Sequence, residues 1–209
     1  MIRLGSRPKT AATVEGPLEP GAAMALVLAA RAGDERAMAR VLELVAPRVG
    51  RVVRVVLGFG HPEAEDVTQL ALISFTQALS AFRGECEPFH YASRIAVRTA
   101  VHARRRYRTM RARQEEFAEV DEVPTSTPYD AAAAEYRKTL LRDLLGELPA
   151  EQAEALALRV ALGWSLEEIA AASAAPVNTI RSRLRLAKEA LRRRIERDPL
   201  YRDELEVVR

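Results

Sequence analysis

Asn178, Arg181, Ser182 and Arg185 are spaced so that a helix would carry them on one face. These side chains read base edges: arginine pairs with guanine through a bidentate fork, while Asn and Ser offer shorter hydrogen bonds. Ile180, Leu184, Ala187 and Leu191, at spacings of four, three and four, take the opposite face. From Arg181 to Arg197 eight cations meet only two acids. A charge run alone is usually a solvated face, but what precedes this one argues for DNA. Ser165-Leu166-Glu167-Glu168 has the pattern of a capping box, in which the Ser accepts an amide bond and the Glu three residues on reaches back. It opens a short helix with Leu166, Ile169 and Ala170 turned inward. Ser173 to Pro176 then forms a turn, and Pro176 suits the start of the next helix. Capped short helix, tight turn and amphipathic basic helix together form the layout of a helix-turn-helix reader.

Other residues that could do chemistry do not combine into a site. Glu65 and Asp66 are adjacent, and neighbours on a helix point about 100 degrees apart, so they cannot flank one substrate. A docking or solvated face is the expectation for them. His61, His90 and His102 have no ligand spacing to Cys86. Cys86 reads as an ordinary small residue, although its place in an open polar loop leaves redox sensing as an alternative. No glycine-rich phosphate loop or nucleophile elbow occurs. No enzymatic activity, metal or cofactor is expected.

The elements that must position the reader are helical. Of 209 residues 48% are hydrophobic and only 5% aromatic, with Ala, Leu, Val and Arg dominant, a mix that favours helix over sheet. The net charge of +3 says little about a partner, but its placement says more. Lys9, Lys138 and Lys188 are the only lysines. Arginine on this scale fits a GC-rich genome, and it also suits phosphate and base contacts. The lone cysteine indicates a reducing compartment. No apolar run approaches the roughly 20 residues that span a bilayer. Arg31 and Asp34 close the stretch Gly21 to Ala32, so neither a signal peptide nor stable membrane insertion is expected, and the protein is read as cytoplasmic.

Along the chain, residues 1–21 hold Pro8, Pro17 and Pro20 without periodicity and read as a flexible tail. Residues 22–113 read as a first helical domain. Asp34 N-caps its second helix, Pro47 is expected to bend or restart that helix, and Val67, Leu70, Leu72, Ile73 and Leu79 are available for packing on the next. Arg98 to Arg113 contains seven arginines and no acid, whereas Gln114 to Glu135 contains seven acids and no Lys or Arg, with Pro124 and Pro128 inside. That reversal marks residues 114–130 as a flexible acidic linker. Residues 131–197 read as a second helical domain, with helices near 131–146, 149–162, 165–172 and 177–197, in which Trp164 packs into the small core. Residues 198–209 form a C-terminal tail. The expected fold class is all-α, two helical domains joined by the linker.

Leu148-Pro149-Ala150-Glu151-Gln152, Gly163-Trp164-Ser165-Leu166-Glu167-Glu168-Ile169-Ala170 and Val177-Asn178-Thr179-Ile180-Arg181-Ser182-Arg183-Leu184 resemble the fourth conserved region of extracytoplasmic-function (ECF) sigma factors, within the sigma-70-type sigma factors of bacterial RNA polymerase. Pro62-Glu63-Ala64-Glu65-Asp66-Val67-Thr68-Gln69, Phe82-Arg83-Gly84-Glu85 and Tyr91-Ala92-Ser93-Arg94-Ile95-Ala96 resemble the second. The resemblance covers about Ala22 to Ile195 and implies an alternative sigma factor that binds core RNA polymerase, recognises and melts promoters and starts transcription. It implies that Glu65, Asp66 and Gln69 dock on the clamp helices of the largest polymerase subunit. Arg83, Gly84, Glu85, Phe89, Tyr91, Arg94 and Arg98 would capture and read the melted minus-ten strand. Asn178, Thr179, Arg181, Ser182, Arg183, Arg185 and Lys188 would read the minus-thirty-five element. The flap region of polymerase and an anti-sigma factor are further implied partners.

The chain departs from the family's pattern at several positions. Tyr91 stands for a usual Trp, Arg98 for a frequent Asn, Leu70 for a usual Glu, and Leu72 and Thr76 for Phe and Trp. Ala174 stands for a frequent Gly and Leu186 for a basic residue. Two other readings fit the residues: a helix-turn-helix regulator that acts without core polymerase, and a sigma-like interaction protein that sequesters a partner without starting transcription.

Overall fold

The computed structural model describes residues 20–115, 142–143 and 145–197, and every regular element among them is helical. Residues 1–19 of the tail expected at 1–21, most of the acidic linker, most of the helix expected at 131–146 and the C-terminal tail lie outside the described residues, while Pro20 and Gly21, read as tail, open the first helix. Helix α1 spans Pro20–Arg31 and α2 spans Glu35–Leu57. The turn between them is a Schellman closure: Gly33 takes φ 97°, its N–H donates to the Ala30 carbonyl, and the Asp34 N–H reaches back to Ala29. Asp34 then caps α2 as expected, its carboxylate accepting from the Arg36 and Ala37 amides at 2.9 and 3.1 Å.

Of the two expectations for α2, the restart at Pro47 does not occur, because the helix runs through Pro47 without interruption. Val41, Val45, Val49, Val52, Val53 and Val56 lie on both sides of the proline, and all are buried. Burial of that stripe outweighs the hydrogen bond the proline cannot donate.

Helix α3 spans Ala64–Ala78 and tightens into a 3-10 turn at Leu79–Ala81. Of the residues expected to pack, Val67 and Leu79 are buried and Leu72 lies against the core, but Leu70 and Ile73 do not pack. Ala64, Val67, Ala71 and Phe75 are buried, whereas Leu70 is 45% and Ile73 53% exposed. The buried set recurs at spacings of three and four, and Leu70 and Ile73 fall outside that arc.

After the loop at residues 82–87, α4 spans Pro88–Glu115, two residues into the segment read as linker. It packs against both α2 and α3. A polar tether fixes it: the Arg48 Nε donates to the Ser93 hydroxyl at 2.9 Å, and that hydroxyl donates to the Phe89 carbonyl, so the fully buried Ser93 is satisfied.

The second half contains α5 (Ala150–Val160), α6 (Leu166–Ser173) and α7 (Val177–Arg197). Residues 142–143 and 145–147, the described remnant of the preceding helix, are helical. The two halves touch, since α4 packs against α5 and α6, and buried residues of both form one continuous cluster.

Candidate nucleic-acid interface

Helix α6 begins with the capping box read from sequence. The Ser165 hydroxyl accepts from the Glu168 amide at 3.1 Å, and the Glu168 carboxylate accepts from the Ser165 amide at 2.7 Å. Hydrogen bonding from the Ser165 backbone amide first, and from the Ser165 side chain second, lowers the Glu168 carboxyl pKa from its ordinary value. The helix ends where Ala174 enters the left-handed region, at φ 47° and ψ 44°. That geometry lets Ala174 and Ala175 donate back to the last turn and swings the chain into α7.

Helix α7 buries Ile180, Leu184 and Ala187 against α5 and α6. Its other face carries Asn178, Arg181, Ser182, Arg185 and Lys188, all exposed. Neighbouring acids and amides hold part of this face in order: Arg181 donates to the Asn178 side chain at 2.9 Å and Arg185 to Glu189 at 2.6 Å. Thr179 and Arg183 are half-buried, and Arg183 is turned toward Glu151 at the start of α5, at 2.7 Å. Arg183 is thereby committed to joining two helices.

The residues assigned to the minus-ten strand do not form a single open face. Arg83, Gly84, Glu85 and Arg98 are exposed. Tyr91 is turned inward: its hydroxyl donates to the Ala78 carbonyl at 3.1 Å, and its ring lies 4.8 Å from Phe82. Burial pushes its hydroxyl pKa up, against the nearby Arg94 charge. Phe89 packs half-buried against the core. Arg94 is engaged by the second half: its Nε donates to Glu154 at 2.6 Å and its Nη1 to the Ala172 carbonyl at 3.1 Å. These two contacts tie α4 to α5 and to the C-terminal end of α6, where a cation also complements the helix dipole.

Trp164 is buried, as expected, but not within the small domain alone. Its ring lies tilted against His90 of α4, with centroids 4.3 Å apart and planes 43° from parallel. Arg104 and Arg108 extend the contact. Arg104 donates to Asp143 at 2.8 Å and to the Leu57 and Arg142 carbonyls, and Arg108 pairs with Glu147 at 3.2 Å. Sequence periodicity carries no signal for such pairings, because the partners are separated by tens of residues.

Glu65, Asp66 and Gln69 are exposed on α3, beside the uncovered Leu70 and Ile73. In the sequence that apolar pair reads as packing residues, and the fold leaves it uncovered. Cys86 is half-buried, and burial raises its thiol pKa, which disfavours the reactive thiolate. Among the described residues, no cluster of three or more His, Cys, Asp or Glu could hold a metal ion, and no helix is long and apolar enough to cross a membrane.

A short capped helix followed by a tight turn and an exposed basic helix is the arrangement found in DNA-binding proteins, and the comparisons give the family. Residues 138–191 match the family described as Sigma-70, region 4. The RNA polymerase sigma-H factor of Pseudomonas aeruginosa is 33% identical over 187 residues, covering 85% of this chain and 95% of that protein. The ECF RNA polymerase sigma-E factor of Escherichia coli (strain K12) is 29% identical over 189 residues, with the same coverage. The solved structure of CnrH in complex with the cytosolic domain of CnrY shares the fold, at a TM-score of 0.50 and 19% identity, over 85% of this chain and 99% of that one. The chain belongs to the ECF sigma factors of RNA polymerase and is an alternative sigma factor.

Proposed function

We propose that this sigma factor divides its work between two surfaces. Helix α7 reads the minus-thirty-five element as duplex through Asn178, Arg181, Ser182, Arg185 and Lys188. The loop at 82–87 and the start of α4 read the melted minus-ten strand, with Arg83, Arg94 and Arg98 supplying charge beside unstacked bases. The observation that carries the reading is the division of α7, with Ile180, Leu184 and Ala187 buried behind a polar face that is exposed among the described residues.

The same reading assigns α3 to core polymerase. Its exposed face sets Leu70 and Ile73 among Glu65, Asp66 and Gln69, an apolar centre with a polar rim of the kind that protein interfaces use. The protein works in the cytoplasm as a dissociable, non-catalytic subunit, and an anti-sigma factor is its proposed restraint. Transcription in vitro from a genomic promoter library, by core polymerase with and without this protein, tests the proposal. New start sites that require the protein are the expected result. Binding of duplex promoter without polymerase, and no new starts with it, would instead make the chain an ordinary regulator.

A further inference from the structure

Leu186 is out of keeping with the surface it occupies. It is 37% exposed, and among the described residues no other large apolar side chain of α7 is left open. Ile180, Leu184 and Ala187 face the core instead. Leu186 follows Ser182 by four positions and precedes Glu189 by three, so it stands one helical turn beyond a residue of the proposed reading face. The polar groups beside it are engaged with each other, since Arg185 donates to Glu189 at 2.6 Å. A turn of α-helix advances about 5.4 Å, and a base pair of B-form DNA about 3.4 Å. With Ser182 at one base edge, Leu186 meets an edge roughly one or two base pairs away.

The chemistry of the side chain narrows what that edge can be. An isobutyl group makes no hydrogen bond. Pressed on guanine it would leave O6 and N7 unpaired, on cytosine the N4 amine, and on adenine both N6 and N7. Of the four bases, thymine alone presents a methyl group in the major groove, where apolar contact removes hydrocarbon from water on both sides. Leu186 also borders a groove with Leu148, Pro149, Gln152 and Ala190. Leu148 is buried and Ala190 half-buried, so the groove adds no second large apolar anchor of the kind that protein partners use. Continuity with the polar face of α7 favours DNA as the occupant.

We infer that Leu186 is a specificity-determining residue, selecting thymine at one position of the minus-thirty-five element by packing on its C5-methyl group. This rests on the proposed reading of that element by α7. The methyl contact is expected to change affinity about fourfold, the equivalent of the ~0.8 kcal/mol that burying one such group contributes.

The experiment measures binding of holoenzyme, made with the full-length chain, to a promoter that depends on this protein for transcription. Each thymine of the minus-thirty-five element is replaced in turn by deoxyuridine, which removes the methyl group and keeps the base pair. Wild-type holoenzyme should lose about fourfold in affinity at one position and little at the others. Leu186→Ala should bind the unmodified promoter more weakly and should no longer distinguish thymine from deoxyuridine at that position. Leu186→Gln, which keeps length and helix propensity, should behave likewise, and circular dichroism checks both folds. An element with no preferred thymine, or indifference of the wild type to deoxyuridine at every position, would overturn the inference. So would a penalty that persists unchanged in folded Leu186→Ala. Weaker retention of core polymerase by Leu186→Ala, with its thymine dependence intact, would also overturn it and assign the side chain to a polymerase contact. Arg181→Ala and Arg185→Ala form the separate arm. If neither alters base preference, the proposed reading by α7 fails, whereas loss of the thymine effect alone leaves that reading in place.

Discussion

Arg181 and Arg185 occupy the exposed face of α7, backed by three fully or nearly buried apolar residues, so each can be altered without touching the core. Arg181→Ala is expected to cost about 1–3 kcal/mol of holoenzyme–promoter binding and to relax the preference at one position of the minus-thirty-five element. Arg192 and Arg193, further along and exposed, should instead weaken all sequences alike and lower the salt slope by about one each. Binding to single-base promoter variants at two salt concentrations separates the two behaviours. Should Arg181→Ala and Arg185→Ala both leave affinity and base preference unchanged, another surface does the reading. Ala174 offers a different test, because a side chain at φ 47° bears a steric penalty that glycine does not. Ala174→Gly is expected to raise stability by about 1 kcal/mol in urea denaturation, with DNA preference unaltered.

The helices themselves act as adaptors between local sequence and surface. The capping box orients α6, and α6 sets the turn that aims α7. Ser165→Ala should therefore lower stability by about 1 kcal/mol, read as a shift in the urea midpoint. Glu168 adds a pH dependence whose sign follows from its lowered pKa. A carboxyl depressed in the folded state contributes stability above its unfolded value and loses it as pH falls through the folded one. The stability difference between the wild-type chain and Glu168→Gln should be present at neutral pH and vanish in acid below the usual carboxylate range. On α3, the exposed Ile73 stands at the centre of the proposed polymerase face. Ile73→Asp is expected to weaken core binding by at least 1 kcal/mol while helix content stays constant, and Asp66→Arg to weaken it in a salt-dependent way. Wild-type retention of core polymerase by both variants in a pull-down would remove α3 from the interface.

At the scale of the whole molecule, α4 is the shared wall. It packs on α2 and α3 along one side and receives α5 and α6 on another. Among the described residues the ion pairs Arg94–Glu154, Arg104–Asp143 and Arg108–Glu147 cross between the halves, and the last two are partly open to solvent, where salt screens them. The free chain should therefore unfold in urea as one cooperative transition at low ionic strength, followed in parallel by circular dichroism and Trp164 emission. High salt together with Glu154→Gln should separate the two signals. Coincident transitions under both conditions would mean that apolar contact alone joins the halves.

Residue order alone determined a good deal of this protein. The turn at Gly33-Asp34, the capping box at Ser165 and the two faces of α7 are local features, written within one or two helical turns, where spacing decides which side chains share a face. The family could be read for the same reason, since its motifs are short and contiguous. The passage of α2 through Pro47 was not legible, because the valine stripe that holds it gains its energy only when α3 and α4 cover it. Leu70 and Ile73 read as core until the fold showed which arc of α3 faces its neighbours. The roles of Tyr91, Arg94 and Trp164 were decided by tertiary structure alone. Their partners Ala78, Glu154 and His90 lie 13, 60 and 74 positions away in the chain. Pairing at that range depends on how two helical layers settle against each other, which no local pattern encodes.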